Sequence, residues 1–300
     1  MSDPFLPLRG TAFAALGLAC ALAGCEPDGD APEAAPATEI DLIVTDDGED
    51  GVTDLVDYGG DDEVTDHLRD LGVDLTRFEY VTEERPDGTT EDLVRVEDDL
   101  EFALAEFERL TADDAVDARH YRTNNLVSNN RTIRVVGYTG GRNALTSKMR
   151  TALQWAINNY NAVNTGLTFT LTFATSTNAD IVVYRQPNNS GAGGSAGFPS
   201  GGRPYKWVQI YAGMQSYDTN TNEHVMTHEI GHCLGFRHTD YFSRQSCGQN
   251  TNEGSSGVGA VFIPGTPSGY DANSIMLACF GSGEDGEFGF YDRVALEYLY

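Results

Sequence analysis

Lysine is absent from residues 26–119, where six arginines face 33 acidic residues. That stretch carries a net charge of −27, which is the formal charge of the whole chain. Residues 120–300 hold 12 acidic and 12 basic residues and balance to zero. No part of the chain offers the basic surface that nucleic acid requires, so no nucleic-acid partner is expected. No apolar run reaches the roughly 20 residues of a membrane-spanning helix. Cysteine is scarce too. Five occur, and none lies between residues 26 and 232, so no thiolate from the acidic stretch can serve a metal site. Three remain beyond Cys25, an odd number that allows at most one intrachain disulfide.

What is present begins with a targeting segment over residues 1–24. Arg9 supplies a positive start, and residues 11–23 form an apolar run too short for a stable anchor. The run ends in Leu22-Ala23-Gly24-Cys25, which resembles a bacterial lipoprotein processing site. That resemblance implies cleavage before Cys25 and acylation of Cys25. Residue 26 is Glu and not Asp, which by the sorting preference of such lipoproteins implies the outer membrane. The expected location is the bacterial cell envelope, as an outer-membrane lipoprotein held by its lipid anchor, or secretion after processing.

Residues 25–60 are rich in Asp, Glu, Ala, Pro and Gly and read as a flexible acidic tether. Residues 61–119 read as a small acidic module. Val64, Leu68 and Leu71 share a helix face, residues 93–96 form a strand, and Leu100, Leu104, Phe107 and Leu110 form a second helix face. Residues 120–300 read as one α+β domain. Strands are expected over 132–138, 168–173, 180–184 and 207–211. A helix over 145–163 puts Leu145, Met149, Leu153, Ala156, Ile157 and Tyr160 on one face. A second helix spans 223–234, and a third closes the chain with Asp292 as its cap. Residues 188–202, rich in Gly and Ser, read as a mobile loop over a cleft.

The chemistry concentrates in residues 228–238, His-Glu-Ile-Gly-His-Cys-Leu-Gly-Phe-Arg-His. His228 and His232 stand four apart, so a helix sets both imidazoles on one face. That pair can hold Zn²⁺. Gly235 can end the helix in a left-handed conformation, and His238 can then return to the same metal. Three nitrogen ligands leave one position open, the mark of a catalytic zinc. Glu229 lies beside the metal, placed to act on a water as general base. Cys233 sits about 100° round the helix from His232 and is expected to face the core.

This string resembles the metzincin clan of zinc metallopeptidases. That clan carries a methionine turn below the metal, and Met276 is the only methionine after His238. More narrowly the chain resembles the bacterial HEIGH metallopeptidases, the M57 family. The likeness rests on residues 121–127, 131–135, the zinc string through Asp240, and Gly265-Thr266-Pro267. It implies a metzincin-type fold: a twisted mixed β-sheet, a long backing helix and a zinc-binding helix, preceded by a prosegment. It also implies a zinc endopeptidase whose substrates are proteins or peptides.

Further residues join these. Val96-Glu97-Asp98-Asp99 resembles the astacin prosegment motif Phe-x-Gly-Asp, with Asp98 in the glycine place. Asp99 is then the carboxylate that fills the open metal position and keeps the precursor latent. Asp240 is a candidate acceptor for a ligand N–H. Cys247 and Cys279 are the expected disulfide, joining the loop after the third ligand to the methionine turn. Astacins place a tyrosine two residues after that methionine, and here the position is Ala278. Two other readings stay open: a catalytically retired binding lipoprotein on a protease fold, and a zinc hydrolase of non-peptide amides. Intact Glu229 counts against the first.

Overall fold

The computed structural model describes residues 78–104, 120–254, 258–267 and 269–300. The targeting segment, Cys25, the tether 25–60 and the helix expected near Val64 lie outside the described residues. Among the described residues no helix is long and apolar enough to cross a membrane.

The elements in chain order are β1 (Phe78–Glu84), β2 (Thr90–Val96), β3 (Leu100–Ala103), β4 (Tyr121–Arg122) and β5 (Arg131–Tyr138). Then come α1 (Ser147–Ala162), β6 (Leu167–Ala174), β7 (Ile181–Gln186), β8 (Gly194–Ser195) and β9 (Trp207–Tyr211). The chain closes with α2 (Thr219–Leu234), β10 (Val261–Phe262) and α3 (Phe290–Leu299).

The main sheet has the order β6-β5-β7-β9-β8. Its first four strands are parallel, and β8 pairs antiparallel at the edge. Inward side chains alternate along each strand. Ile133, Val135, Ile181, Val183, Val208 and Ile210 pack against α1 and α2 as one buried cluster. Helix α1 meets them through Met149, Leu153, Ala156, Ile157 and Tyr160, the face expected from its spacing. Thr146 caps α1 by accepting from the Met149 N–H at 3.3 Å. This α+β arrangement, with a mixed sheet and a backing helix, is the fold class read from the sequence.

The acidic module is a three-stranded antiparallel sheet, β1-β2-β3. The helix expected from Leu100 onward is therefore a strand at its start. Val96 pairs with Leu100 and Val94 with Phe102. Those four side chains form a small apolar cluster with Phe198, and that packing overrides the helical spacing. Phe107 and Leu110 lie outside the described residues.

Module and domain meet on the outer face of the sheet. Arg85 donates to Tyr184 Oη at 3.1 Å and to Tyr205 Oη at 3.2 Å. Glu83 accepts from Gln186 Nε2 at 2.7 Å, and Glu101 accepts from Ser195 Oγ at 2.8 Å. Arg85, Arg95 and Glu101 are buried, and a buried charge persists only when paired. The glycine-rich stretch read as a mobile loop is part of this contact. A Cβ on Gly194 would stand 2.6 Å from Gln209 O, and one on Gly197 would stand 2.5 Å from Glu101 O. Glycine there admits close backbone approach to the module and the sheet edge.

Candidate metal centre

Helix α2 sets the first two histidines. Asp218 caps its start by accepting from the Thr221 N–H at 2.8 Å. His228 and His232 then stand one turn apart, ring centroids 4.6 Å from each other. Gly235 ends the helix at φ +113, with its N–H on Gly231 O and His232 O. A side chain there would meet Asn125 O at 2.9 Å, so both conformation and space require glycine. The reversed chain brings His238 back, its ring centroid 5.3 Å from His228 and 5.0 Å from His232.

Each imidazole is oriented through Nδ1. His228 donates to Ile275 O at 2.9 Å, and His232 donates to Phe236 O at 2.8 Å. His238 lies 3.0 Å from both oxygens of Glu253. With Nδ1 occupied this way, the three Nε2 lone pairs turn toward one point. His228 and His232 Nε2 are 2.9 Å apart. Two lone pairs facing at that distance repel unless a cation lies between them. Glu229 Oε2 and Asp99 Oδ1 are also buried with no protein hydrogen-bond partner. The donor set and these orphaned oxygens both fit a bound zinc ion. Burial, then the neighbouring His228 and His238, lower the His232 pKa well below its usual value and keep the ring neutral.

Asp99 enters this centre from the acidic module. Its Oδ2 is 3.0 Å from His238 Nε2, 3.4 Å from His228 Nε2 and 4.0 Å from His232 Nε2. Burial by itself would raise its pKa. The facing histidines outweigh that and hold it well below the carboxylate range. The Asp99 carbonyl accepts from Ala196 N at 2.9 Å, and Glu101 N donates back to Ala196 O at 2.8 Å. The module thus meets the sheet edge through one parallel bridge, Leu100 to Ala196.

Glu229 is buried on α2 behind Gly194. A Cβ on Gly194 would come within 2.9 Å of Glu229 Oε1. Burial and the Asp99 carboxylate raise the Glu229 pKa well above normal. A cavity of about 280 Å³ opens beside it, walled by His224, Tyr217, Ala278 and Phe280.

Met276 is buried under the helix, with its sulfur 2.5 Å from where a Cβ on Gly231 would be. Its carbonyl accepts from Thr239 N at 2.8 Å. Asp292 pins this turn, accepting from Ser274 Oγ at 2.7 Å, Ile275 N at 2.9 Å and Gly289 N at 2.9 Å. Gly289 is the N-cap of α3, and Asp292, its third residue, caps the helix as expected by accepting from the Gly289 N–H. The same carboxylate also holds the methionine turn.

Asp240 requires a correction. It accepts from Ala278 N at 2.9 Å and from Ser246 N at 2.8 Å, and touches none of the three histidines. The Asp240 carboxylate instead ties the loop at Ser246 to the methionine turn at Ala278. Glu253 takes the place expected for Asp240. It sits 15 residues past His238 in irregular chain, and no spacing rule marks it. Cys247 and Cys279 are bonded, with Cα atoms 5.2 Å apart. Cys233 is buried and free.

The family model described as "Dual-action HEIGH metallo-peptidase", the M57 peptidases, matches residues 94–300. The chain belongs to this family. Residues 228–232 spell the HEIGH string itself, and the match starts inside β2, so it takes in the turn that carries Asp99. Among curated proteins none matches. Two solved structures of myroilysin are similar to the chain. One is 17% identical, covers 67% of this chain and 98% of that one, and has a TM-score of 0.37. The other is 16% identical, covers 55% and 78%, and has a TM-score of 0.35. As a member of the M57 family the chain is a zinc metallopeptidase.

Proposed function

We propose that this chain is the latent precursor of a zinc endopeptidase. The catalytic domain spans residues 120–300, and the acidic module within 61–119 is the inhibitory prosegment. One observation carries the reading: the Asp99 carboxylate lies against all three Nε2 atoms, in the position a substrate carbonyl or a water would need.

His228, His232 and His238 would hold the ion, steadied by Ile275 O, Phe236 O and Glu253. Zinc, when bound, supplies a Lewis acid that acidifies water and polarises a carbonyl. Glu229 takes the proton of the attacking water and hands it to the leaving amine. Asp99 blocks both water and substrate until the prosegment leaves. Targeting belongs to the same proposal: the Leu22-to-Cys25 site supports a lipid anchor at Cys25 and delivery to the envelope.

The test compares the full chain before and after processing, with casein or a peptide library, with and without chelator. Cleavage by the processed form, lost to chelator and restored by zinc, is the expected result. Peptide hydrolysis that ignores chelator would overturn the reading. For the anchor, Cys25→Ala should abolish partitioning into the detergent phase, and unchanged partitioning sinks it.

A further inference from the structure

Residues 97–101 cross the metal centre held at two places. Ala196 holds Asp99 and Glu101 by backbone pairing. Two arginines of the catalytic domain, Arg237 and Arg244, hold Glu97 and Asp98. Both arginines are buried, 0% and 1% exposed.

Their domain supplies them with little negative charge. Arg237 donates through Nη1 to the carbonyls of Gly254 at 2.8 Å and Gly259 at 3.4 Å, and lies over the Tyr241 ring at 5.2 Å. Arg244 donates to Gln249 Oε1 at 3.2 Å and to Glu253. Glu253 is shared with His238, and its other oxygen is 3.9 Å from Arg237. The second carboxyl group of the cluster comes from the module: Glu97 faces Glu253 and His238, their polar atoms within 4.8 Å of one another, as well as the arginines. Arg237 Nη2 meets Glu97 at 3.1 Å and 3.4 Å, while Arg244 meets the Glu97 carbonyl at 3.4 Å and Asp98 Oδ2 at 3.3 Å.

Removal of the prosegment takes Glu97 and Asp98 away. Two guanidiniums are then left with one carboxylate, Glu253, between them. A desolvated charge stripped of its partner is strongly unfavourable, and the planar fork of arginine matches a carboxylate in two bonds. We infer that in the processed enzyme Arg237 and Arg244 form a carboxylate-recognition site for an acidic side chain of the substrate. Glu97 stands two residues from Asp99, so the acidic side chain belongs within a few residues of the bond that is cut. The inference rests on the proposed endopeptidase and adds its substrate class: peptides with an acidic residue near the scissile bond. In the precursor Glu97 occupies that site, as Asp99 occupies the metal.

The experiment has two arms. In the first, the full chain is processed and given pairs of peptides that differ only by Glu or Gln at one position around the bond. One position should favour Glu by about tenfold or more in kcat/KM, and Arg237→Gln should bring that ratio close to one. Equal cleavage of every pair overturns the inference and leaves the arginines as prosegment anchors. In the second arm, Glu97→Ala is made in the unprocessed full chain and acetate is the probe. Acetate should raise the Tm of this variant progressively, beyond its effect on the parent and beyond that of chloride. No such rise also overturns the inference. If no peptide is cut at all, the endopeptidase reading fails, and the acetate arm still decides whether the carboxylate site exists.

Discussion

Asp99 of the acidic module meets His238 of the catalytic domain, with Oδ2 3.0 Å from Nε2. The two residues are 139 apart in the chain, and the contact sits at the one point where three imidazole lone pairs converge. A carboxylate there competes for the position on which hydrolysis depends.

The first prediction follows from that contact. Asp99→Ala removes the blocking oxygen and leaves the three histidines intact. The unprocessed variant should hydrolyse peptide where the unprocessed parent does not. Assay of both before any cleavage of the chain checks this. A variant as latent as the parent removes Asp99 from the role.

Glu229 is predicted to govern rate and not metal content. Glu229→Gln should cut hydrolysis by roughly 10²–10⁴, the usual worth of a general base. Metal analysis of the purified variant should still find zinc, because the three Nε2 donors are untouched. A loss of zinc equal to the loss of rate would make Glu229 a ligand.

Asp98 adopts φ +80 and Glu97 φ +60, left-handed values that favour glycine. The astacin-like motif has glycine at the Asp98 place, so backbone geometry explains that part of the resemblance. Asp98→Gly should stabilise the full chain by about 1 kcal/mol from the backbone. It forfeits an ion pair with Arg244 in which the Asp98 side chain is 61% exposed, while the buried Arg244 keeps its partner Glu253. Chemical denaturation decides. A clear fall in stability would show that the Arg244 contact dominates.

Asp292 predicts a pH dependence. Burial raises its pKa from 3.8 to about 6, against the lowering effect of the Ile275 and Ser274 hydrogen bonds. A native pKa above the unfolded one means that the folded state binds the extra proton. The stability from this group is complete below about pH 4 and is lost as pH rises through about 6. The span is up to about 3 kcal/mol. Tm measured across that range should fall more steeply for the parent than for Asp292→Asn. Parallel profiles would remove Asp292 as the source.

Several features of this protein were legible in local chemistry. Two histidines four apart need only a helix to share a face, and Gly235 needs only its own φ to end that helix. The backing face of α1 follows from a 3.6-residue period. Charge counting separates acidic module from balanced domain with no structure at all. Other features depended on contacts between distant segments. The strand at Leu100 looked helical by spacing and was decided by pairing with β2. The need for glycine at 194 and 197 is set by the distant backbones of Gln209 and Glu101 that press against them. Glu253 rather than Asp240 faces His238, because the Asp240 carboxylate is tied to Ser246 and Ala278 and the chain returns to the third histidine 15 residues later. The Arg237–Glu97 pair joins residues 140 apart. The residue types and the helix period are written into neighbouring positions, where short-range sterics and hydrogen bonding act. Which carboxylate meets which cation is set only when the chain closes on itself, because burial forces each charge to find its partner wherever the fold places one.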